Sequence, residues 1–214
     1  MENSVMEQVL ASSWGEAEPT LRALRETDCW TQLRRAYALL DRSVLYESWM
    51  HGAGHIERVM LLSAILAWKA GFSTADTELL LLAASYHDIG RVDDSRDPAH
   101  GRRSAEMLFS DPRFARRMES IPEEGRRALL AAVEAHSLSD GDRNTAAAHW
   151  GADTAPGSMF QRLATALKDA DNLDRVRLGD LDTKHLRTPA AVALVPFADG
   201  LYRQYKDDGA EKKL

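Results

Sequence analysis

Cysteine, long apolar runs and secretion signals are all scarce in this sequence of 214 residues. The single cysteine, Cys29, excludes a disulfide within one chain and is typical of a reducing compartment. The longest apolar run, near 59–68, is interrupted by Ser63 and is too short to cross a bilayer. The N-terminus, Met1 to Ser4, has neither a basic flank nor an apolar signal core. These absences predict a cytoplasmic protein with no membrane partner.

Strong net charge and strand-forming residues are also lacking. The net charge of -6 argues against a general nucleic-acid binder, so no nucleic-acid partner is expected. Val and Ile are sparse, whereas Leu, Ala, Arg and Glu are plentiful, which favours helix over strand. No segment alternates with a period of two, and no internal repeat divides the chain. The sequence therefore predicts a single-domain, all-α helical bundle, and a homo-oligomer remains an open alternative to a monomer.

Helix signals divide this domain into three segments. Residues 1–45 are predicted to form N-terminal helices that pack on the core, 46–205 to form the main helical domain, and 206–214 to form a charged tail. One helix is expected over about 30–47, where apolar residues recur at helical spacing. Residues 137–157 are small and polar and are expected to form the longest loop, a candidate lid.

The most informative stretch is a strongly apolar helix that ends in an imidazole and a carboxylate. Four leucines, Leu79 to Leu82, lead into His87 and Asp88, and Gly90 ends the helix. Burying a carboxylate at such a helix end is costly unless a cation meets it. Because His and Asp are both good ligands for divalent ions, the stretch predicts a metal site.

Three further helices carry ligand-type side chains on their apolar stripes. His55, His136 and Asp171 each lie one or two turns from positions that should be buried, so each is expected to face inward. Asp169 is an alternative to Asp171. Inward imidazoles and carboxylates from several helices are what a metal site inside a bundle requires.

These motifs resemble the HD superfamily of metal-dependent phosphohydrolases. The matching segments are His55-Ile56-Glu57-Arg58-Val59, His87-Asp88-Ile89-Gly90, His100-Gly101, His136-Ser137 and Asp169-Ala170-Asp171-Asn172-Leu173-Asp174. The resemblance covers residues 51 to about 187 and implies an all-helical fold of the HD type. It implies that His55, His87, Asp88 and Asp171 hold a divalent transition metal, namely Mn, Fe, Co or Ni. His100 and His136 are candidates for a second ion or for catalysis.

Other polar side chains near these motifs have predicted supporting roles. Three cations are predicted to bind phosphate oxygens as charge develops: Arg58, Lys168 and Arg91. Four residues are predicted to orient the ligands or to face the substrate: His51, Asp94, Asp169 and Asp174. For His51, a plain helix-start residue is the alternative. His149 and His185 are expected to be ordinary surface histidines.

The resemblance implies hydrolysis of a phosphoester of a small phosphorylated molecule, a nucleotide or related compound, by a metal-activated water. The Gly-Tyr-Pro signature of the cyclic-dinucleotide diesterases is absent. Arg91 stands where the nucleotidase branch has an acid, and Asp93-Asp94 replaces the Glu-Asp pair of the guanosine tetraphosphate branch. Two alternatives remain: a di-iron oxygenase that uses all six ligand-type groups, and a non-catalytic sensor that binds a metal or nucleotide.

Overall fold

The computed structural model describes residues 5–205, and thirteen α-helices account for most of this range. Their bounds are Val5–Ala11 (α1), Ser13–Ala17 (α2), Pro19–Arg25 (α3), Asp28–Ala38 (α4), Ala53–Lys69 (α5), Thr74–Tyr86 (α6), His100–Ser110 (α7), Pro112–Glu119 (α8), Glu123–Ala135 (α9), Arg143–Trp150 (α10), Met159–Leu173 (α11), Pro189–Ala193 (α12) and Val195–Tyr205 (α13). Three short 3₁₀ turns lie at Arg42–Val44, Asp174–Leu178 and Thr183–His185. The described residues contain no β-strand, which confirms the all-α prediction. The predicted tail over 206–214 lies outside the described residues.

Helices α5 and α6 form the centre of the bundle. Every residue of α5 from His55 to Ala67 is buried, and α6 is buried from Leu79 to Tyr86. Helices that are buried on all sides belong to a protein core. Helices α4, α9 and α11 pack around this pair. Polar groups at the ends of α5 and α6 are therefore held in a medium of low dielectric constant, where unpaired charge is costly.

The N-terminal helices contribute to the same hydrophobic core. Met6, Leu21, Leu24 and Leu33 are fully buried and belong to one cluster with the apolar residues of α5 and α6. Full burial of each such side chain stabilises the fold by about 1.5–3 kcal/mol. The division of the chain after residue 45 stays a prediction. None of the helices between residues 5 and 205 combines the length and the apolar character that crossing a membrane requires.

The helix predicted over about 30–47 is wrong in its second half, because α4 ends at Ala38. Asp41 explains the interruption. Its carboxylate accepts the backbone N–H of Ser43 at 3.0 Å, and its own N–H donates to the hydroxyl of Tyr86 at 3.0 Å. Such bonds compete with the helical hydrogen bonds of the same backbone groups. The chain therefore turns at this point and reaches the core through a 3₁₀ turn.

The loop predicted over 137–157 is wrong in its centre, where α10 forms. The run Ala146–Ala148 consists of the strongest helix-forming residue, and its first two alanines are fully buried. Glu134 on α9 accepts hydrogen bonds from Nδ1 of His149 at 2.7 Å and Nε1 of Trp150 at 2.8 Å. These contacts fix α10 on α9, so the centre of the predicted lid is part of the packed bundle.

Candidate metal centre

The predicted ligands lie at the ends of core helices. Their positions are His55 in the first turn of α5, His87 and Asp88 directly after α6, His100 at the start of α7, His136 directly after α9, and Asp171 near the end of α11. All of them are buried except Asp171, whose side chain is 29% exposed. Because each helix buries the apolar face that leads to its ligand, packing of the bundle carries the ligands inward.

Two glycines let α7 approach the ends of α6 and α9. A Cβ atom at Gly90 would lie 2.4 Å from the backbone nitrogen of Ser104, and one at Gly101 would lie 2.7 Å from the carbonyl oxygen of Glu134. Real Cβ atoms do not approach backbone so closely, so any larger residue would push α7 away. These glycines therefore bring His100 to the ends of the two neighbouring helices.

The first half-site consists of His55, His87, Asp88 and Asp171. The Nε2 atoms of His55 and His87 lie 3.2 Å apart. Oδ1 of Asp171 lies 3.4 Å from Nε2 of His55 and 4.0 Å from Nε2 of His87. Oδ2 of Asp88 lies 3.6 Å and 3.9 Å from the same two nitrogens. The structure thus brings together the four side chains predicted as primary ligands.

The second half-site consists of His100, His136 and the other oxygen of Asp88. The Nε2 atoms of the two histidines lie 2.8 Å apart. Oδ1 of Asp88 lies 3.1 Å from Nε2 of His100 and 3.3 Å from Nε2 of His136. Asp88 therefore faces both half-sites, with one carboxylate oxygen in each.

The contacts of Nδ1 determine which ring nitrogen carries the proton in three of these histidines. Three imidazoles direct Nδ1 at a backbone carbonyl oxygen: His87 at Ala84 (2.9 Å), His136 at Val133 (2.5 Å) and His100 at Asp97. A carbonyl oxygen only accepts hydrogen bonds, so Nδ1 carries the proton in each ring. Each Nε2 then presents a lone pair to the half-site, as metal-binding imidazoles do.

The resulting set of facing lone pairs fits a metal ion in each half-site. Burial lowers the pKa of His136 to about 4 and, together with the charge of Arg177, lowers the pKa of His55 to about 3. These rings are therefore neutral near pH 7 and supply no cation of their own. Imidazole nitrogen and carboxylate oxygen are ligands that suit first-row transition metals. The residues present are therefore able to hold such ions.

Arg58 lies behind His55 and not beside the open positions of the half-site. It donates to both carboxylate oxygens of Asp174, from Nε at 2.6 Å and from Nη2 at 3.0 Å. Its guanidinium group stacks over the rings of Tyr202 at 5.2 Å and Tyr205 at 4.6 Å. The prediction that Arg58 binds phosphate does not fit this position, because the group is buried and bound to Asp174. Arg58 instead holds the carboxylate that contacts His55.

Asp174 orients His55 from the side away from the half-site. Its Oδ2 lies 2.8 Å from Nδ1 of His55. Burial raises the pKa of Asp174, but the charge of Arg58 and the hydrogen bond from His55 outweigh it, so the pKa lies well below its usual value. Arg177, which the sequence did not indicate, adds a third contact from Nη1 at 3.2 Å. The ionised carboxylate thus fixes the proton of His55 on Nδ1 as well.

His51 and Arg91 both contact the carboxylate of Asp88. Nδ1 of His51 lies 3.0 Å from Oδ2, and Nε of Arg91 donates to the same oxygen at 2.9 Å. Asp94 accepts a hydrogen bond from the hydroxyl of Ser48 at 2.6 Å, which ties the loop after α6 to the segment before α5. His51 and Arg91 therefore help to orient the residue that the two half-sites share.

Asp169 lies outside the half-sites. It is fully buried and accepts the backbone N–H groups of Arg187 at 2.8 Å and Thr188 at 3.0 Å. The hydroxyl of Thr188 donates to it as well, at 2.8 Å. Asp169 therefore fixes the segment before α12 against α11, and its position rules it out as the alternative to Asp171.

A cavity of about 1080 Å³ opens in front of the half-sites. Predicted residues on its wall are His51, Arg91, Asp94, His100, His136 and Lys168. His185, expected to be an ordinary surface residue, is exposed but also lines this cavity. His149 lies elsewhere and is bound to Glu134 on α9.

Asp140 and Arg187 are wall residues that the sequence did not indicate. Oδ1 of Asp140 accepts from Arg187 Nη2 at 2.9 Å and lies 3.1 Å from Nζ of Lys168. Nζ of Lys168 also donates to the carbonyl oxygen of Leu138. These contacts join α11, the loop before α10 and the segment before α12. Neither Asp140 nor Arg187 belongs to a local pattern, so only their spatial position identifies them.

Comparisons with curated proteins and with solved structures gave no significant match. A comparison with known protein families matches residues 52–176 to the family described as HD domain. The matched segment is more than half of the chain and contains every candidate ligand. The protein therefore belongs to the HD domain family, the superfamily of metal-dependent phosphohydrolases.

Proposed function

We propose that the protein is a metal-dependent phosphohydrolase that cleaves a phosphoester of a small molecule. One observation carries the proposal: imidazole lone pairs and carboxylate oxygens converge beside an open cavity. When bound, the ion supplies an activated water and neutralises charge on the phosphoryl group. Membership of the HD domain family supports this class of reaction. A cytoplasmic location remains a prediction.

The proposed roles of the residues follow from their positions. His55, His87, Asp88 and Asp171 hold one ion, and His100, His136 and Asp88 hold a second. Asp174 keeps His55 in the tautomer that binds metal, because its carboxylate accepts a hydrogen bond from the protonated Nδ1.

Two cations on the cavity wall are proposed to bind phosphate oxygens. Arg91 and Lys168 both line the cavity, and both are largely buried, with exposed side-chain fractions of 10% and 4%. A guanidinium or ammonium group with so little exposure to solvent stabilises developing negative charge more strongly than the same group in water. His51 also lines the cavity and contacts Asp88, so it orients Asp88 while facing the substrate.

The proposal is tested with protein purified without chelators. Loaded with manganese, cobalt or nickel, it should release phosphate from at least one member of a broad panel of phosphoesters. His87→Ala should remove the ion of the first half-site and abolish this activity, since it removes a ligand at the centre of that half-site. His149→Ala is the matched control, because His149 lies outside both half-sites and its imidazole is bound to Glu134 on α9. Unchanged activity in His87→Ala would refute the proposed site.

A di-iron oxygenase is the second candidate, because the shared position of Asp88 also provides for two irons. The two carboxylate oxygens of Asp88 face separate groups of histidines, an arrangement that provides for two ions. Oxygen consumption that depends on an added substrate, with about two irons per chain, would support this candidate over hydrolysis. Stabilisation by metal with no turnover of any kind would instead support a sensor.

A further inference from the structure

The cavity in front of the half-sites lacks aromatic side chains on its described wall, apart from imidazoles. Its apolar lining consists of Met50, Pro98, Leu138, Leu178 and Leu181. Proteins that bind nucleobases commonly stack them on aromatic rings, which contribute about 1–3 kcal/mol per base. Trp49 is 51% exposed next to this region, but it does not line the cavity. A nucleobase would therefore find only imidazoles, and no Phe, Tyr or Trp ring, on which to stack inside.

The wall carries almost balanced charge. Six aspartates line it, namely Asp94, Asp97, Asp140, Asp142, Asp180 and Asp182, against five Arg or Lys residues, namely Arg91, Arg96, Lys168, Arg175 and Arg187. Recognition of several phosphate groups requires a cluster of cations that are free to bind them. This wall offers no such cluster, so it suits a substrate with a single phosphate group.

The cations nearest the half-sites already bind carboxylates of the protein. Arg91 contacts Asp88 at 2.9 Å. Arg187 contacts Asp140 at 2.9 Å, and Lys168 lies 3.1 Å from the same carboxylate. Arg91 and Arg187 each keep an N–H group for a phosphate oxygen, whereas Lys168 would have to exchange one of its contacts with Asp140, Ala135 and Leu138. A chain of phosphates reaching outward would therefore meet paired charges. The second and third phosphate groups of a nucleotide would therefore make few favourable contacts with the wall.

Several acceptor oxygens on the wall have no hydrogen-bond partner among residues 5–205, and three of them belong to Asp140, Asp142 and Asn172. Asp140 binds Arg187 and Lys168 through Oδ1 only, which leaves Oδ2. Asp142 accepts from the hydroxyl of Ser139 through Oδ2 at 2.7 Å, which leaves Oδ1. The amide of Asn172 donates through Nδ2 to a backbone oxygen, which leaves its Oδ1. Unpaired carboxylate oxygens repel phosphate but accept hydrogen bonds from hydroxyl groups.

We propose that the substrate is a monophosphate ester of a small polyhydroxy compound, a sugar or polyol without a nucleobase. This inference rests on the proposed function, since the phosphate would lie at the half-sites. The hydroxyl groups would donate to Asp140, Asp142 and Asn172. The proposal replaces the nucleotide expected from the sequence, because the wall supplies acceptors for hydroxyl groups and no Phe, Tyr or Trp ring for a base.

Ribose 5-phosphate and AMP are a matched pair for the test, because AMP is the same phosphorylated sugar with a base attached. With metal-loaded protein, kcat/KM for ribose 5-phosphate should exceed that for AMP by about tenfold or more, because the base of AMP replaces the anomeric hydroxyl group and removes one charge-assisted hydrogen bond. 2-Deoxyribose 5-phosphate, which lacks one hydroxyl group, should fall between them. ADP and ATP should be poorer than AMP. Equal or faster hydrolysis of AMP, or its dependence on Trp49, would overturn the inference.

The Asp142→Ala variant tests the hydroxyl contact directly. It should raise KM for ribose 5-phosphate about tenfold and leave kcat nearly unchanged, because the contact is remote from the reacting phosphate. Asp153→Ala is the matched control: Asp153 is also an exposed aspartate near α10, but it lies outside the cavity. Unchanged KM in Asp142→Ala would count against the proposal.

Two further measurements separate this inference from the proposed function. Hydrolysis of p-nitrophenyl phosphate tests only the reaction, since this ester has no polyol group. If no phosphoester is cleaved, the proposed function fails. Calorimetric binding of ribose 5-phosphate and AMP to the metal-loaded protein then still decides the inference. Tighter binding of ribose 5-phosphate would support it, and equal or tighter binding of AMP would overturn it.

Discussion

The imidazoles of His100 and His136 face each other with their Nε2 atoms 2.8 Å apart, and both direct Nδ1 at backbone carbonyl oxygens. Two neutral rings in this arrangement point lone pairs at one another, which is unfavourable without a cation between them. Oδ1 of Asp88 adds negative charge at 3.1 Å from His100. This is the arrangement that the proposed second ion requires.

Replacement of His136 by alanine should lower the metal content from two ions per chain to one. The first half-site keeps all four of its side chains in this variant, so it should retain its ion. Elemental analysis of protein purified without chelators provides the measurement. His149→Ala serves as the control and should keep both ions. An identical metal content in both variants would show that His136 is not a ligand.

Replacement of Asp174 by asparagine should weaken metal binding without removing a ligand. The change disturbs the contact that orients His55, and such supporting contacts are worth about 10- to 100-fold in metal affinity. It also leaves Arg58 and Arg177 without their buried counter-ion, a loss that typically costs about 3–5 kcal/mol of unfolding free energy. Metal titration and urea denaturation measure the two effects separately.

The control for this variant is Asp180→Asn, which breaks an exposed pair with Arg175. Exposed pairs contribute less than about 1 kcal/mol, so this variant should keep its stability and metal affinity. Asp174→Asn with normal metal affinity would mean that Asp174 only balances the buried arginines.

Removal of metal should lower the melting temperature of the protein. An ion present at about one hundred times its Kd stabilises the folded state by about 2.7 kcal/mol. For a domain of this size, that corresponds to a shift of about 5–10 °C. Scanning calorimetry before and after chelator treatment, and after return of manganese, measures it. The Asp88→Asn variant should lose most of this response, since both half-sites use its carboxylate. An equal response in this variant would contradict the shared position.

Replacement of Gly101 by alanine should destabilise the fold and disturb the second half-site. The new Cβ atom would lie 2.7 Å from the carbonyl oxygen of Glu134, which belongs to backbone and cannot rotate away. Overpacking of this kind costs about 1–3 kcal/mol, which urea denaturation resolves.

Gly141→Ala is the matched control for Gly101, because the nearest atom to a Cβ at Gly141 is Oγ of Ser139 at 3.7 Å. Its unfolding free energy should change by less than about 0.5 kcal/mol. Equal stability of the two variants would show that α7 does not approach α9 as closely as described.

The sequence predicted the all-α fold and the residues that meet in the half-sites, because both depend on local patterns. The leucines before His87 and the apolar stripe after His55 determine which way the helices face, and packing then carries the ligands inward. The partner of Arg58 could not be predicted from local sequence patterns. Helical spacing places Arg58 one turn from His55, but a contact with Asp174 across 116 residues decides where its charge goes.

The cavity wall was the least predictable part of the site. Asp140 and Arg187 meet across 47 residues, and no local period links them. The α10 helix was missed because glycines and polar residues around it outweighed its short run of alanines. Its position depends on packing against α9, where the buried carboxylate of Glu134 accepts from two of its side chains.

Helix α13 supplies no candidate ligand, yet it bears on one of them. Tyr202 and Tyr205 cover Arg58, and the hydroxyl of Tyr205 occupies the space that a side chain at Gly54 would need, 2.4 Å from where its Cβ would be. A shortened version of the protein that ended before Val195 would keep all six ligand-type groups. It would nevertheless let water reach the Arg58–Asp174 pair, and the imidazole of His55 would then be held less firmly in its orientation. The metal content of any version shortened for crystallisation should therefore be measured first.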